Sequence, residues 1–444
     1  MGIGGVLSIA YILFVFGYGF FASRRKASLE KSQPSAPSLF VSTASLCAAF
    51  IGGGFSLGNA AEGFMDGFRG AVLRLGVSFG QLAVAFLLAP RFSRFPTALT
   101  AGDIVKDAFG ELSKRLSGLL SIIFCIGILG AQISAFGSVA AFLFGGSRAV
   151  FSLVGFSGII LFAAFGGISA SQKSDSIQVT VLFAGILLCL ISVLFLSRGN
   201  LPPLSGELPR FPSAVDFLAP FLSFMTGELL CPPSVRRILL TKSGRTAKLS
   251  LAISGAVSIP FFFLTALMGI LARVFGTTAN ADFAMPSLVS AALPFPLGPV
   301  ICGAMLCVYL SSGCAFLLSC ADALFFDLFT LSPDGKKRDN SALFRLFCVL
   351  CGGAALLLAL AFDKVLSILL LAYCFWCPVM LVPLILALFG KKYKDGVFIA
   401  SFAVSVFVLL LWSALGSPFG VPPMLAGLFA DALFFIFYKR GSKN

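Results

Sequence analysis

The sequence Ala48-Ala49-Phe50-Ile51-Gly52-Gly53-Gly54 interrupts an otherwise apolar stretch, residues 42–64, in its middle. A second apolar stretch, residues 217–230, contains Gly227-Glu228 near its end and is followed by Cys231-Pro232-Pro233. A helix in lipid must satisfy its own backbone hydrogen bonds, so broken helices at membrane depth are tolerated only where they line a cavity. Paired interruptions in two halves of a chain are typical of the binding site of a secondary transporter. The sequence therefore predicts a membrane protein that moves a small solute.

The composition agrees with a membrane protein. The chain is 58% hydrophobic and 11% charged, and its mean hydropathy is +1.02, whereas soluble domains are about 45–50% apolar and about 25% charged. Thirteen apolar stretches are long enough to cross about 30 Å of hydrocarbon: 2–22, 38–65, 70–90, 116–144, 149–168, 175–196, 214–233, 249–274, 296–326, 343–362, 365–389, 396–414 and 423–438. The polar connections at 91–115, 197–213 and 331–342 are predicted to be loops or short surface helices, and none is long enough for a soluble domain.

The net charge of +14 is distributed as in a polytopic protein, not as in a nucleic-acid-binding protein. If the N-terminus is external, 25 of the 32 Lys and Arg residues fall in the inside connections and seven fall outside. This asymmetry predicts an external N-terminus and a cytoplasmic C-terminus in the cell membrane. The first span is predicted to be a retained anchor, because its basic residues follow the apolar run instead of preceding it as in a secretory signal.

All twelve cysteines fall inside predicted spans, including the pairs Cys348/Cys351 and Cys374/Cys377 with CxxC spacing. Buried cysteine behaves as a small apolar residue, so we expect packing residues and no metal other than sodium. The chain has no histidine, which excludes imidazole metal sites, histidine proton relays and Ser-His hydrolase chemistry. No catalytic cluster is evident, and we expect no enzyme activity.

The two broken spans divide the chain into predicted units. Residues 1–37 form the anchor helix and a cytoplasmic loop, 38–196 a first five-helix repeat, 197–392 a second, and 393–444 two additional helices. Each repeat opens with a broken span, as expected of an inverted repeat.

Five short segments occur in order along the chain: Leu88-Ala89-Pro90-Arg91 with Pro96-Thr97; Gly166-Gly167-Ile168 with Ser174-Asp175-Ser176-Ile177-Gln178; Arg237-Ile238-Leu239 with Lys242-Ser243; Ala281-Asp282-Phe283-Ala284-Met285-Pro286; and Leu310-Ser311-Ser312 with Asp327. In this order and at these spans they resemble the sodium:solute symporter family, which includes sodium/proline and sodium/galactose carriers. The resemblance runs from about residue 38 to about residue 396. It implies an all-α polytopic protein of about 13 transmembrane helices with a LeuT-like core.

The resemblance also implies a sodium site. Carried over by position, its ligands are the carbonyls of Ala48, Ile51 and Val308 and the hydroxyls of Ser311 and Ser312. Neutral oxygens from an unwound helix suit a dehydrated hard cation, and the glycines Gly52, Gly53 and Gly54 are expected to permit the unwinding. Membrane-buried serines can instead bond back to helix carbonyls. Some relatives have Asp or Asn where this chain has Phe50, whose side chain cannot coordinate an ion.

Charged residues inside the membrane are functional candidates because they are costly. Glu62 is expected to pair with Arg74, as an outer gate or as a structural ion pair. Glu228, beside Gly227, is expected to bind a cationic group of the substrate or a coupling proton. Asp322 lies three helical turns beyond Ser311 and marks an inward ion exit or an ordinary interfacial acid.

Two further features of the sequence have open interpretations. Asp175, in the second of the five segments, is a substrate or gating candidate. The densest basic run is interpreted as a topology determinant or a site for anionic lipid head groups; it consists of Arg236, Arg237, Lys242, Arg245 and Lys248.

The sequence thus predicts a sodium-coupled symporter that imports a small organic solute by alternating access. An amino acid, a sugar, a carboxylate and a vitamin remain open as substrates, with Glu228 slightly favouring an amine-bearing solute. The alternatives are a proton-coupled transporter that uses Glu228 or Glu62, and a channel or sensor with a transporter-like core. The lipid bilayer is the expected environment, with Na+ as the coupling ion, no nucleic acid and no obligate protein partner.

Overall fold

A computed structural model describes residues 3–29, 37–198, 204–241, 243–329, 341–362 and 364–441. Within these ranges the side chains of 22–29, 50, 165–169, 204–205, 341–342 and 439–441 are not described. The described residues form helices, short helical turns and connections, with no strand among them. The basic loop residues 336–338 and Lys242 lie outside the described part.

Sixteen α-helices follow one another in the described part of the chain. They are α1 (Ile3–Leu29), α2 (Leu39–Phe50), α3 (Gly53–Asp66), α4 (Arg69–Ala83), α5 (Ala101–Phe109), α6 (Glu111–Phe144), α7 (Arg148–Leu196), α8 (Ala214–Gly227), α9 (Pro232–Leu239), α10 (Gly244–Val274), α11 (Ala284–Ala292), α12 (Leu297–Asp322), α13 (Ser341–Ala361), α14 (Val365–Leu388), α15 (Asp395–Ala414) and α16 (Pro423–Gly441). Helices α4 and α12 continue through π-helical turns at Val84–Leu88 and Ala323–Leu328.

Both predicted interruptions are broken spans. Helices α2 and α3 meet at 52°, and helices α8 and α9 meet at 48°. At the second break Leu230 has a φ of 56°, and Pro232 opens α9 at a position where a missing amide hydrogen costs nothing. The second break therefore extends its span to Leu239, beyond the predicted boundary at 233.

Glycine is required at the first break for a different physical reason from the one that the sequence predicted. Gly52 has a φ of −57° and a ψ of 179°, a conformation open to any residue, and Gly53 and Gly54 are already helical. A Cβ at Gly53 would lie 2.3 Å from the Cβ of Ala135, and one at Gly54 would lie 2.4 Å from Leu369 Cδ1. These glycines are required for close packing of α3 against α6 and α14 and not for unusual dihedrals.

Nine helices of the described part are long and apolar enough to cross a membrane, and the two broken pairs raise this number to 11. Two shorter apolar segments, Arg148–Ala164 and Pro423–Tyr438, occupy the remaining predicted spans. The sequence predicted a connection between the spans 149–168 and 175–196. This prediction is wrong, since α7 is helical from Arg148 to Leu196 without interruption. A straight helix of 49 residues would be about 74 Å long, more than twice the hydrocarbon thickness.

Helix α12 forms the centre of the molecule. Nearly every residue from Ile301 to Asp322 is buried, and the helix packs against α1, α6, α7 and the break between α2 and α3. Helices α1 and α15 have many exposed apolar side chains and lie at the periphery. The broken spans therefore meet a fully buried helix, and this position sets the geometry of the site.

Candidate functional site

Two of the predicted ion ligands, Ala48 on α2 and Ser312 on α12, are in contact. Ser312 Oγ donates a hydrogen bond to the carbonyl oxygen of Ala48 at 2.8 Å. Ile51 ends α2 three residues after Ala48, and Val308 and Ser311 lie within one turn of Ser312 on α12. All five residues are buried. A hydroxyl of one helix thus meets a carbonyl in the last turn of a broken helix.

Ser311 faces a different partner from Ser312. Its Oγ donates to Asp175 Oδ1 at 2.5 Å and lies 3.1 Å from Ser171 Oγ. Ser45 Oγ and an Arg237 guanidinium nitrogen donate to Asp175 Oδ2 at 2.8 Å and 3.4 Å. Asp175, fully buried, therefore ties α2, α7, α9 and α12 together. Such a buried carboxylate needs these donors, because an unpaired buried charge is costly.

The basic run on α9 corrects the sequence interpretation. Arg237 is only 3% exposed and pairs with Asp175, while Arg236 forms an ion pair with Asp322. Neither side chain is therefore a surface residue available to lipid head groups. Arg245 is exposed, and Lys248 is partly buried with its ammonium 4.9 Å from the Phe86 ring.

Helix α3 begins with an amide that is satisfied by another helix. The Gly53 N–H donates to Gln132 Oε1 of α6 at 2.8 Å, because the first amides of a helix have no partner within it. One turn later Ser56 Oγ donates to the hydroxyl of Tyr309 on α12 at 3.1 Å. Gln132 is the lone side-chain amide in a long apolar span, a signal that sequence reasoning missed.

Glu228 lies at the second break, where α8 ends. It is 4% exposed, and its Oε2 has no hydrogen-bond partner among the described residues. Tyr373 of α14 lies against this break, with its ring 2.3 Å from the position of a Cβ at Gly227. A cavity of about 20 Å³, room for one water molecule, is lined by Glu228 together with Gln81 and Ser234.

Glu62 of α3 and Arg74 of α4 form the expected ion pair. The Arg74 side chain is fully buried, and its guanidinium carbon lies 5.0 Å from the centroid of the Phe224 ring on α8. A cation over an aromatic face is favourable when both are removed from water. Arg74 therefore connects the first broken span to the second.

Asp322 lies at the end of α12 and lines a cavity of about 1030 Å³. The same cavity is lined by its ion-pair partner Arg236 and by Arg345 and Cys348 of α13. Asp322 is thus neither an isolated ligand nor an ordinary surface acid. It is one half of an ion pair between α9 and α12 that lines this cavity.

The cysteines are packed as predicted, with Cys374 the one partly exposed and the others buried. All twelve are free thiols. Within the described residues no group of three His, Cys, Asp or Glu side chains is arranged to hold a metal ion.

Comparison with known proteins places the chain among transporters. The osmoregulated proline transporter OpuE of Bacillus subtilis is 23% identical over 434 residues, covering 91% of this chain and 88% of the relative. The sodium/pantothenate symporter of Escherichia coli is 24% identical over 476 residues, covering 97% and 95%.

Solved structures confirm the predicted fold class. A Na+-coupled sialic acid symporter in a substrate-bound outward-open state superposes with a TM-score of 0.78 at 16% identity, covering 98% of this chain and 97% of that one. A nucleobase-cation-symport-1 family transporter in a closed conformation gives a TM-score of 0.60 at 15% identity, covering 92% and 96%. The sequence model of the sodium:solute symporter family matches residues 38–201 and 205–403, and the chain therefore belongs to the sodium:solute symporter family.

Proposed function

We propose that this protein imports a small organic solute together with Na+ by alternating access. The observation that carries the proposal is the contact between the Ser312 hydroxyl and the Ala48 carbonyl at the break between α2 and α3. The similarity to a proline transporter, to a sodium/pantothenate symporter and, in fold, to a Na+-coupled sialic acid symporter supports the same activity.

The ion site consists of oxygens that a monovalent cation prefers. Na+ binds the carbonyls of Ala48, Ile51 and Val308 and the hydroxyls of Ser311 and Ser312, without a formal charge in its first shell. A hard cation takes several oxygen ligands, and broken helices supply unpaired carbonyls at membrane depth. The Ser312 hydroxyl donates its hydrogen to the Ala48 carbonyl, which leaves the Ser312 lone pairs available to Na+.

Asp175 supplies the negative charge next to this site. Its carboxylate accepts the hydrogen of Ser311, so the Ser311 oxygen keeps both lone pairs free for a cation. Arg237 and Ser45 hold the carboxylate in place. Sodium binding thereby stabilises the arrangement of α2, α7, α9 and α12, which are the helices that Asp175 connects.

The solute binds between the two breaks. The first amide of α3 with Gln132, the Ser56–Tyr309 pair, and Glu228 supply its polar contacts. Arg74 and Glu62 close one end of this region, and the Arg236–Asp322 pair closes the other. Because ion and solute stabilise the same helices, each raises the affinity for the other by the same factor.

The experiment is uptake into proteoliposomes after a thermal-shift screen of purified protein against amino acids, sugars, carboxylates and vitamins, with and without Na+. A solute that stabilises the protein more in Na+ than in choline should be accumulated when an inward Na+ gradient is imposed at constant pH. Accumulation driven by a pH gradient in the absence of Na+ would establish proton coupling instead. Flux that never exceeds equilibrium under either gradient would establish a channel.

Thiol labelling in intact cells tests the orientation. We propose that the N-terminus is external and the C-terminus cytoplasmic, on the asymmetry of Lys and Arg residues in the connections. The limits of the two five-helix repeats, 38–196 and 197–392, remain predictions.

A further inference from the structure

Asp431 is a buried carboxyl group that the transport site does not use. It lies in the middle of α16, is 0% exposed, and neither of its carboxyl oxygens has a hydrogen-bond partner among the described residues. Acidic residues inside membrane spans are rare and normally pair with a cation or with donors. Asp431 therefore needs a physical explanation.

Helices α15 and α16 are antiparallel neighbours with a defined register. Ser405 Oγ donates to the carbonyl oxygens of Gly427 on α16 at 3.0 Å and of Pro378 on α14 at 2.6 Å. Ser401 lies one turn before Ser405 on α15, and Asp431 lies one turn after Gly427 on α16. Because the helices are antiparallel, Ser401 and Asp431 face each other. Asp431 thus lies in a polar layer shared by three helices.

The serine hydroxyls of this layer already donate their hydrogens to carbonyl oxygens and can offer Asp431 only lone pairs. Ser401 Oγ already donates its hydrogen to the carbonyl oxygen of Phe398 at 3.1 Å, so only its lone pairs remain. Ser405 likewise donates to carbonyl oxygens. An ionised carboxylate can only accept hydrogen bonds, whereas a protonated carboxyl can donate one to Ser401. A protonated Asp431 can therefore donate to the Ser401 oxygen, whereas an ionised Asp431 has no hydrogen-bond donor among the described residues.

Charged groups on the neighbouring helices lie elsewhere. On α14 the titratable group that faces Asp431 is the thiol of Cys377. The acid of α15, Asp395, lies in the first turn and accepts hydrogen bonds from Ser113. The acid of α8, Asp216, caps its own helix through Ser213. No Lys or Arg side chain of the described part forms an ion pair with Asp431.

We propose that Asp431 is a proton-binding site, held as a neutral acid that donates to Ser401 Oγ, and that it releases its proton to water only when α16 separates from α14 and α15. A proton fits better than Na+, because a hard cation takes several oxygen ligands, whereas Ser401 Oγ is the side-chain oxygen that the register places opposite Asp431. The proposal stands whether or not transport is coupled to sodium.

The site lies one helical turn along α14 from the transport region, on the same face of that helix. Tyr373 of α14 faces the break at Gly227, and Cys377, one turn later on the same helix, faces Asp431. Displacement of α14 during transport would therefore alter the environment of Asp431. Proton binding at Asp431 would in turn favour the packed arrangement of α14, α15 and α16, because ionising the acid in place leaves an unpaired charge in a buried layer.

The test is infrared difference spectroscopy of the full-length protein in lipid vesicles. Wild type should show, near neutral pH, the C=O stretching band of a protonated carboxylic acid that Asp431→Asn lacks, with and without Na+. Ser401→Ala should shift the frequency of this band without removing it, because the acid loses its acceptor. Asp395→Asn, the matched control at the start of α15, should leave the acid band unchanged.

A second measurement uses stability. In the unfolded chain Asp431 is an ordinary carboxyl group that titrates at about pH 3.9, and the proposal requires the folded protein to keep this proton at higher pH. If so, the melting temperature of wild type should fall relative to that of Asp431→Asn as the pH rises above about 3.9. If Asp431→Asn does not fold, Asp431→Leu replaces it in both measurements.

Three results would overturn the proposal. They are a carboxylate band in place of the acid band, melting temperatures of wild type and variant that stay parallel across the pH range, and an acid band that disappears on addition of Na+. The last result would identify a cation site instead of a proton site.

Discussion

Replacing Ser312 with Ala removes one oxygen from the proposed ion site and leaves the backbone in place. In the structure this hydroxyl donates its hydrogen to the Ala48 carbonyl oxygen at 2.8 Å, and its lone pairs are available to a cation. Losing a hydrogen bond or ligand to a charged group costs about 1.5–3 kcal/mol. At about 1.4 kcal/mol per tenfold, the Na+ concentration for half-maximal uptake should rise roughly 10- to 100-fold.

The assay is solute uptake into proteoliposomes as a function of Na+ at constant pH and osmolarity. Substrate affinity should recover substantially at saturating Na+, because the lesion lies in the ion site. Cys314→Ala is the matched control, since it removes one buried heavy atom from the same helix without taking an oxygen ligand. A variant that only folded poorly would lower the maximal rate and leave the Na+ requirement unchanged.

Ser311→Ala extends the same test. Its hydroxyl bonds to Asp175, which keeps Ser45 and Arg237 as donors after the substitution. A similar rise in the Na+ requirement is expected, and the double variant with Ser312→Ala should nearly lose Na+ stimulation. If both single variants keep the wild-type Na+ dependence, the ion does not bind here, and coupling through the carboxyl group of Glu228 becomes the leading explanation.

Three further predictions concern the ion pairs and the topology. Asp175→Asn should lower the free energy of unfolding by about 3–5 kcal/mol, because Arg237 is left buried and unpaired. The double variant with Arg237→Gln should regain part of this loss. Equal stability of all variants would contradict the pairing. Glu62→Gln should lower the maximal uptake rate with little change in the Na+ requirement, since Arg74 loses its partner away from the ion site; a change in Na+ dependence alone would refute this. A cysteine at position 198 should react with an impermeant thiol reagent in intact cells, and protection there would reverse the proposed orientation.

Much of the fold follows from local sequence. Each apolar stretch predicts a helix because lipid offers no other hydrogen-bond partners to the backbone. The breaks at Gly52 and at Cys231-Pro232-Pro233 were visible for the same reason. The continuous course of α7 was not, because the polar residues near Lys173 suggested a loop.

The glycines illustrate a limit of conformational arguments. Gly53 and Gly54 looked like residues chosen for unusual dihedrals, but they are helical and exclude Cβ atoms from contact with Ala135 and Leu369. This requirement for glycine is visible only in the folded structure, because the local sequence does not indicate which helix surface packs against it.

Part of the ion site likewise follows from the sequence, and part follows only from the tertiary structure. The sequence by itself determined that unwound carbonyls and a serine pair lie at membrane depth, because hydropathy, helix breakers and residue order are local properties. Only the tertiary structure decided that Ser312 meets Ala48 and that Ser311 meets Asp175, and that Arg237 is a buried partner of Asp175 and not a surface charge. These pairs join residues 62 to 264 positions apart, and their geometry arises from how helices pack, which depends on the whole set of side chains between them.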